Sequence, residues 1–357
     1  IIDPVHDHQP VDRDYVVMLS DWPEADPHRT LARLKKQSDY YNFQKRTVGD
    51  FFADARRLGF GAAIADRLAW GEMRMEPTDI ADVTGATYHF LIDGQTPDMR
   101  KTYLFRPGEK IKLRFINASA MTHFDVRIPG LKMQVIAADG QPVAPVAVEE
   151  FRIAVAETYD VLVEPQTEQA YGIFAEAMDR SGYAHASLTP RDDLIAEVPP
   201  LRPMTLLTLA EMGGAHAGHT EHAAAEQPLG EPADPHAGHD GGAAAAKDDP
   251  RAGHARHTAK PETQPIHPVL KYQYLKAVTP EHGLMGPPDR EITLRLIGNM
   301  NRYIWSFDDV KYADAEPIRV KLGERIRFTY VNETMMNHPI HLHGLWQYLD
   351  NGNGMYN

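Results

Sequence analysis

An internal repeat constrains this chain more than any other feature. The segment RPGEKIKLRFINASAMTHFDVRI, from Arg106, aligns without a gap to KLGERIRFTYVNETMMNHPIHLH, from Lys321, at a constant offset of 215 residues. The alignment sets Gly108 on Gly323, Glu109 on Glu324, Ile111 on Ile326, Phe115 on Tyr330, Asn117 on Asn332 and His123 on His338. Within the first copy Ile111, Leu113 and Phe115 alternate with Lys110, Lys112 and Arg114, the period of two expected of a strand with one wet face. Two copies of one β-unit therefore recur along the chain. They differ where chemistry would sit, because Val126 and Ile128 stand opposite His341 and His343.

Around this frame the pattern predicts a buried strand at 15–20 (YVVMLS) and then a helical excursion at about 27–75. Asp26 is placed as an N-cap before Pro27, Thr47 and Asp50 have capping-box spacing, and Gly59 stands where a helix should end with positive φ. Further short strands are expected at 87–92, 123–128, 133–138, 151–156, 159–164 and 171–177, and again at 291–297 and 302–307. Short strands separated by PG, DG and SG turns indicate an all-β sandwich or small barrel rather than a parallel α/β sheet. The stretch 206–268 breaks this pattern. From 212 onward it is rich in Ala, Gly, Pro, Asp and His with almost no large apolar residue, so it reads as a disordered linker.

Composition excludes several functions. With 37 Lys+Arg against 50 Asp+Glu the net charge is −13, and no long basic run offers a footprint for nucleic acid or an anionic surface. The chain has no cysteine, which removes disulfides, thiolate metal sites and thiol nucleophiles. No run of about 18 apolar residues spans a bilayer. The chain opens on Ile1 with neither a starting Met nor a signal-peptide pattern, as expected of a piece cut from something longer.

The motif that carries chemistry is NHPIHLHG, residues 337–344. On a strand, His341 and His343 would project to one side, and His338 would lie upstream on the bend that Pro339 introduces, so that three imidazoles converge. Imidazole suits copper, zinc, iron or nickel, and spacing alone names no metal. The plain alternative is a solvated histidine-rich edge strand. Against it, the sister copy fills the equivalent positions with Val126 and Ile128, so the fold does not need histidine there. A second constellation lies in the linker: His216, His219, His222, His236, His239, His254 and His257. These HxxH pairs are either auxiliary metal ligands or part of a low-complexity spacer. Met335 and Met336, beside His338, suit Cu(I) as soft thioethers, but such a pair more often fills a core, and core filling is the preferred reading. His123 reads as structural, and Trp305 and Trp346 as core or pocket wall.

The stretch MMNHPIHLHG, with ERIRFTYVN before it and WSFDDVKYADAEPIRV further upstream, resembles the final cupredoxin domain of a multicopper oxidase. Together with DYVVMLSDW, RFINASAMTHFDVRIPGLKMQVIAADGQ and AETYDVLVEP, it is similar to the CopA-type copper-resistance oxidases of bacteria. The resemblance implies Greek-key cupredoxin domains: the end of a first domain at 1–9, a copper-free middle domain at 10–205, the linker at 206–268, and the start of a C-terminal copper-binding domain at 269–357. It further implies that His338 binds type 1 copper, His341 type 2 and His343 type 3. The implied activity is oxidation of Cu(I) or phenols with reduction of dioxygen to water, in the periplasm, with copper ions and dioxygen as partners. The family's His-X-His motifs of the first domain and its His-Cys-His motif are not in these residues, so the 357 residues alone should be inactive. A rival reading is a non-redox protein that sequesters copper or zinc. A zinc hydrolase fits less well, since no HxxEH-type companion motif is present.

Overall fold

The computed structural model describes residues 10–204, 206–209, 266–278, 287–299, 303–334, 336–344 and 347–350. The chain enters through β1 (Arg13–Pro23) and then makes the helical excursion. Helix α1 (Pro27–Lys36) starts where Asp26 accepts a hydrogen bond from the His28 amide at 2.8 Å. Helix α2 (Val48–Leu58) carries both halves of the Thr47–Asp50 capping box. Gly59 has φ of 91° and ψ of 152°, so the chain passes straight into α3 (Phe60–Met73) instead of curling into a left-handed cap.

The β-rich body follows: β2 (Tyr88–Ile92), β3 (Thr102–Leu104), β4 (Ile111–Asn117), β5 (Phe124–Arg127), β6 (Met133–Ala138), β7 (Gln141–Ile153), β8 (Thr158–Val163), β9 (Tyr171–Ala177) and β10 (Tyr183–Thr189). They hydrogen-bond in the order β2-β1-β4-β8-β6-β7-β5-β9-β10-β3. That order is no meander. β4 pairs with β8 and β5 inserts between β7 and β9, crossovers of Greek-key type in a sheet that curls around one core. Phe115, Phe124, Phe151, Val126 and Leu113 are fully buried there, with Phe115 and Phe151 edge to face at 5.1 Å. Val126 and Ile128 are thus core residues of a closed first unit.

Two features depart from the sequence reading. The strand expected at 151–156 begins ten residues earlier, because β7 pairs first with β6 and then with β5 and spans both faces of the curl. Its prolines, Pro142 and Pro145, lie where the β6–β7 register shifts, which hid the strand from a period-two search. β10 (YAHASLT) was not expected, since its small and polar residues carry no alternation. It is buried on both faces because the segment after it folds back, with the Ala196 amide on Ser187 Oγ at 2.9 Å.

The second unit comprises β11 (His267–Val269), which joins β7, and a separate sheet of β12 (Arg290–Asn299), β13 (Ile304–Phe307), β14 (Val310–Lys311) and β15 (Ile326–Asn332). Here the repeat is reproduced to the residue. β1 runs parallel to β4 with Arg13 on Ile111 and Leu19 on Asn117, and β12 runs parallel to β15 with Arg290 on Ile326 and Leu296 on Asn332. Leu19 faces Ile92 across β1–β2, and Leu296 faces Phe307 across β12–β13, with Phe307 standing 215 residues beyond Ile92. Gly108 and Gly323 share φ near 85°, and Asp93 and Asp308 share φ of 50°. The ion pair Arg13–Glu109 recurs as Arg290–Glu324.

Candidate metal centre

The loop leading into the motif is shaped by asparagine. Asn332 Oδ1 accepts from the Thr334 amide at 3.0 Å while Asn332 Nδ2 donates to the Met336 carbonyl at 2.8 Å. In the first unit Asn117 Oδ1 accepts from the Ser119 amide at 3.0 Å, and its Nδ2 donates to the Thr122 carbonyl at 2.8 Å. One local turn thus delivers both histidines of the repeat, His123 and His338, to equivalent places.

Beyond His338 the two copies part. Residues 337–342 form no strand and 343–344 lie in a turn, which corrects the expectation of strand-borne histidines. In the first unit β5 is held between β7 and β9; among the described residues the second unit supplies no such flanking strands, so its motif has no ladder to join. The expected convergence of three imidazoles is corrected with it. Among the described residues no three His, Asp or Glu side chains gather closely enough to hold one ion. The structure instead makes two places. The exposed rings of His341 and His343 lie 4.9 Å apart, nearly perpendicular at 84°. His338 sits apart from them, half-buried, its Nε2 3.0 Å from Thr334 Oγ1 and its ring 4.3 Å from that of Trp305.

The electrostatics of the two places differ. Burial pushes the His338 imidazole down to about 4, and the neighbouring His123 acts in the same direction. His338 is therefore neutral at pH 7 with a lone pair to offer, and because Nε2 is engaged by Thr334 the free donor is Nδ1. His341 lies near the turn between β6 and β7, where burial raises the Asp139 carboxyl.

The donors present fit copper in kind. Imidazole nitrogen is a borderline ligand that copper accepts, and neither His341 nor His343 spends a nitrogen on a hydrogen bond among the described residues. They are a partial set, since two imidazoles leave positions of a copper centre to other groups. The linker histidines His216, His219, His222, His236, His239, His254 and His257 lie outside the described residues, as does Met335. Met336 is 7% exposed and faces a small cavity lined by Asn42, Met75, Asp79 and Asp82.

Sequence reasoning missed the seam between the units. Tyr303 donates to Asp82 at 2.7 Å, and Asn337 Nδ2 lies 3.2 Å from Met178 Sδ. The repeat sets Tyr303 on Tyr88 and Trp305 on Phe90, but it does not point to Asp82.

A curled Greek-key β-unit closed by Val126 and Ile128, whose β1–β2–β4 pairing recurs as β12–β13–β15 ahead of the histidine motif, is the plan of a cupredoxin-type copper protein. Family models described as multicopper oxidase match residues 13–190 and 286–357. The chain belongs to the multicopper oxidase family, whose cofactor is copper. Copper resistance protein A of Escherichia coli is 48% identical over 97% of this chain and 64% of its own length. Copper resistance protein A of Pseudomonas syringae pv. tomato is 45% identical over the same shares. The chain thus spans 64% of the length of these relatives. Among solved structures, Fet3p, a multicopper oxidase that functions in iron import, aligns with 14% identity over 88% of this chain and 42% of its own, with a TM-score of 0.46.

Proposed function

We propose that these residues form the copper-free middle domain (10–205), the linker (206–268) and the start of the copper-binding C-terminal domain (269–357) of a periplasmic oxidase, with 1–9 closing a first domain. The oxidase converts Cu(I), or a phenol, and serves copper resistance. With Cu(I) as substrate, four Cu(I), one O₂ and four protons give four Cu(II) and two waters. His338 serves type 1 copper, His341 type 2 and His343 type 3. Copper at these residues would supply a one-electron acceptor on the His338 side and a dioxygen-reducing cluster on the other.

The chain's own residues have separable tasks. Thr334 fixes Nε2 of His338, burial keeps that ring neutral, and Trp305 covers one side of it. His341 and His343 present a second pair of rings on the exposed side. One observation carries this reading: a single eight-residue motif divides its histidines between two places, as a division between electron entry and oxygen reduction requires. The names of the copper-resistance relatives support the copper substrate. The test is the absorption spectrum of the copper-loaded full-length gene product. An intense thiolate-to-Cu(II) band with oxygen uptake on adding Cu(I) is the expected result. Copper-loaded protein without that band is a sequestering protein, and the proposal falls.

A further inference from the structure

We propose that Asp82 and Tyr303 are positioning residues for His338, acting through Trp305 across the seam between the two units; the inference rests on the reading of His338 as a copper ligand. Asp82 stands in the loop that follows α3, and that loop is itself pinned. Asn42 Nδ2 donates to Thr78 Oγ1 at 2.9 Å, the Glu76 amide donates to Asp79 at 2.7 Å, and Arg46 Nε donates to Glu76 at 3.0 Å. From this fixed base the Asp82 carboxyl accepts the Tyr303 hydroxyl at 2.7 Å.

Tyr303 has φ of 50°, in the left-handed region that a bulky side chain rarely adopts. Such a conformation persists where the surroundings over-determine it, and the Asp82 hydrogen bond is one such determinant. The next residue opens β13, and pairing of Trp305 with Gly298 on β12 fixes the backbone there. The Trp305 ring then stands 6.3 Å from that of Tyr303 and 4.3 Å from that of His338, at 64° to the latter. His338 is consequently wedged between Trp305 and Thr334, and the angle at which it offers Nδ1 follows the position of the indole.

The first unit supplies an internal comparison. Its equivalent rings, Tyr88 and Phe90, lie 6.5 Å apart, and Phe90 ends on Phe124 at 5.6 Å instead of on a histidine. Asp82 lies close enough to both tyrosines to raise each electrostatically, yet it is Tyr303 that hydrogen-bonds to it. The aromatic pair is thus common to both copies, and the acid contact is the addition in the copy that bears the motif. A helical excursion that contributes none of the ligands proposed for the centre sets the angle of one of them.

The test uses indole fluorine NMR on the copper-free chain, whose four tryptophans give four signals, with Trp305 assigned by its loss in Trp305→Phe. Tyr303→Phe and Asp82→Ala should each move the Trp305 signal by more than its linewidth and leave the other three in place. The double variant should move it no further than the larger single change, since both remove one hydrogen bond. Should Asp82→Ala fail to fold, the near-isosteric Asp82→Asn takes its place. In the copper-loaded full-length gene product, Tyr303→Phe should change the His338-dependent copper signal in electron paramagnetic resonance at unchanged copper content. A Trp305 signal and a copper signal that both ignore Tyr303→Phe overturn the inference alone, as does strict additivity in the double variant. A wild type without any His338-dependent copper signal overturns the underlying reading, and the inference with it.

Discussion

Replacing Glu176 by alanine is expected to cost about 3 kcal/mol of folding stability, although this residue lies far from the histidine motif in sequence. Its side chain is 0% exposed and forms the centre of an ion cluster on the outer face of β5 and β9. The carboxylate accepts the Arg202 amide and Arg202 Nε, both at 2.7 Å, with Arg180 at 3.5 Å and Arg127 at 4.0 Å. Removing one partner of a buried ion pair costs about 3–5 kcal/mol, chiefly because the other charge is left without compensation. Arg202 and Arg127 retain 33% and 20% side-chain exposure and can rehydrate, which places the loss at the lower end. At about 2–4 °C per kcal/mol for a unit of this size, the melting midpoint should fall by roughly 6–12 °C. Asp193→Ala is the control, since Arg191 and Asp193 are 67% and 77% exposed and their pairing should be worth less than about 0.5 kcal/mol. Urea unfolding of the two variants beside wild type reads the difference. A Glu176→Ala loss under about 1 kcal/mol, or one equal to the control, would refute the claim that this cluster clamps the segment around Arg202 onto the sheet.

Three further outcomes are expected. In the full-length gene product His338→Ala should abolish the blue band while copper still binds at the His341 side, whereas His341→Ala should lower the copper count and stop oxygen uptake with the blue band intact; the reverse pattern would exchange the assignments. Burial holds His185 neutral, so the fold binds fewer protons there than the unfolded chain; its contribution is full above the ordinary histidine value near 6.5 and is lost as pH falls below it, and His185→Gln should flatten that part of the urea-midpoint profile between pH 7 and 5. Gly85→Ala should cost about 2 kcal/mol in the same assay, because a Cβ there would meet the Phe90 ring and the Ser181 carbonyl, each at 2.7 Å; an unchanged midpoint would show that this approach relaxes freely.

By itself the sequence determined the repeat, and through it much of the architecture. Residues 215 apart occupy equivalent register positions because alternation tells each strand which face to bury, and a glycine with positive φ, at 108 and at 323, ends the turn before it. Asp26, Thr47 and Gly59 likewise marked their helix ends, since a cap is satisfied within a few residues of chain. Tertiary structure decided what depends on partners remote in sequence. The alternation of His341 and His343 satisfies a strand pattern, but a strand also needs neighbours to accept its backbone groups, and among the described residues that segment has none. β7 runs its full length because β5, β6 and β11 line up against it, which its own prolines conceal. The hydrogen bond from Tyr303 to Asp82 joins residues 221 apart, and neither carries a local pattern that points to the other. Periodicity reports which side of an element is buried, and only the folded chain reports what is buried against it.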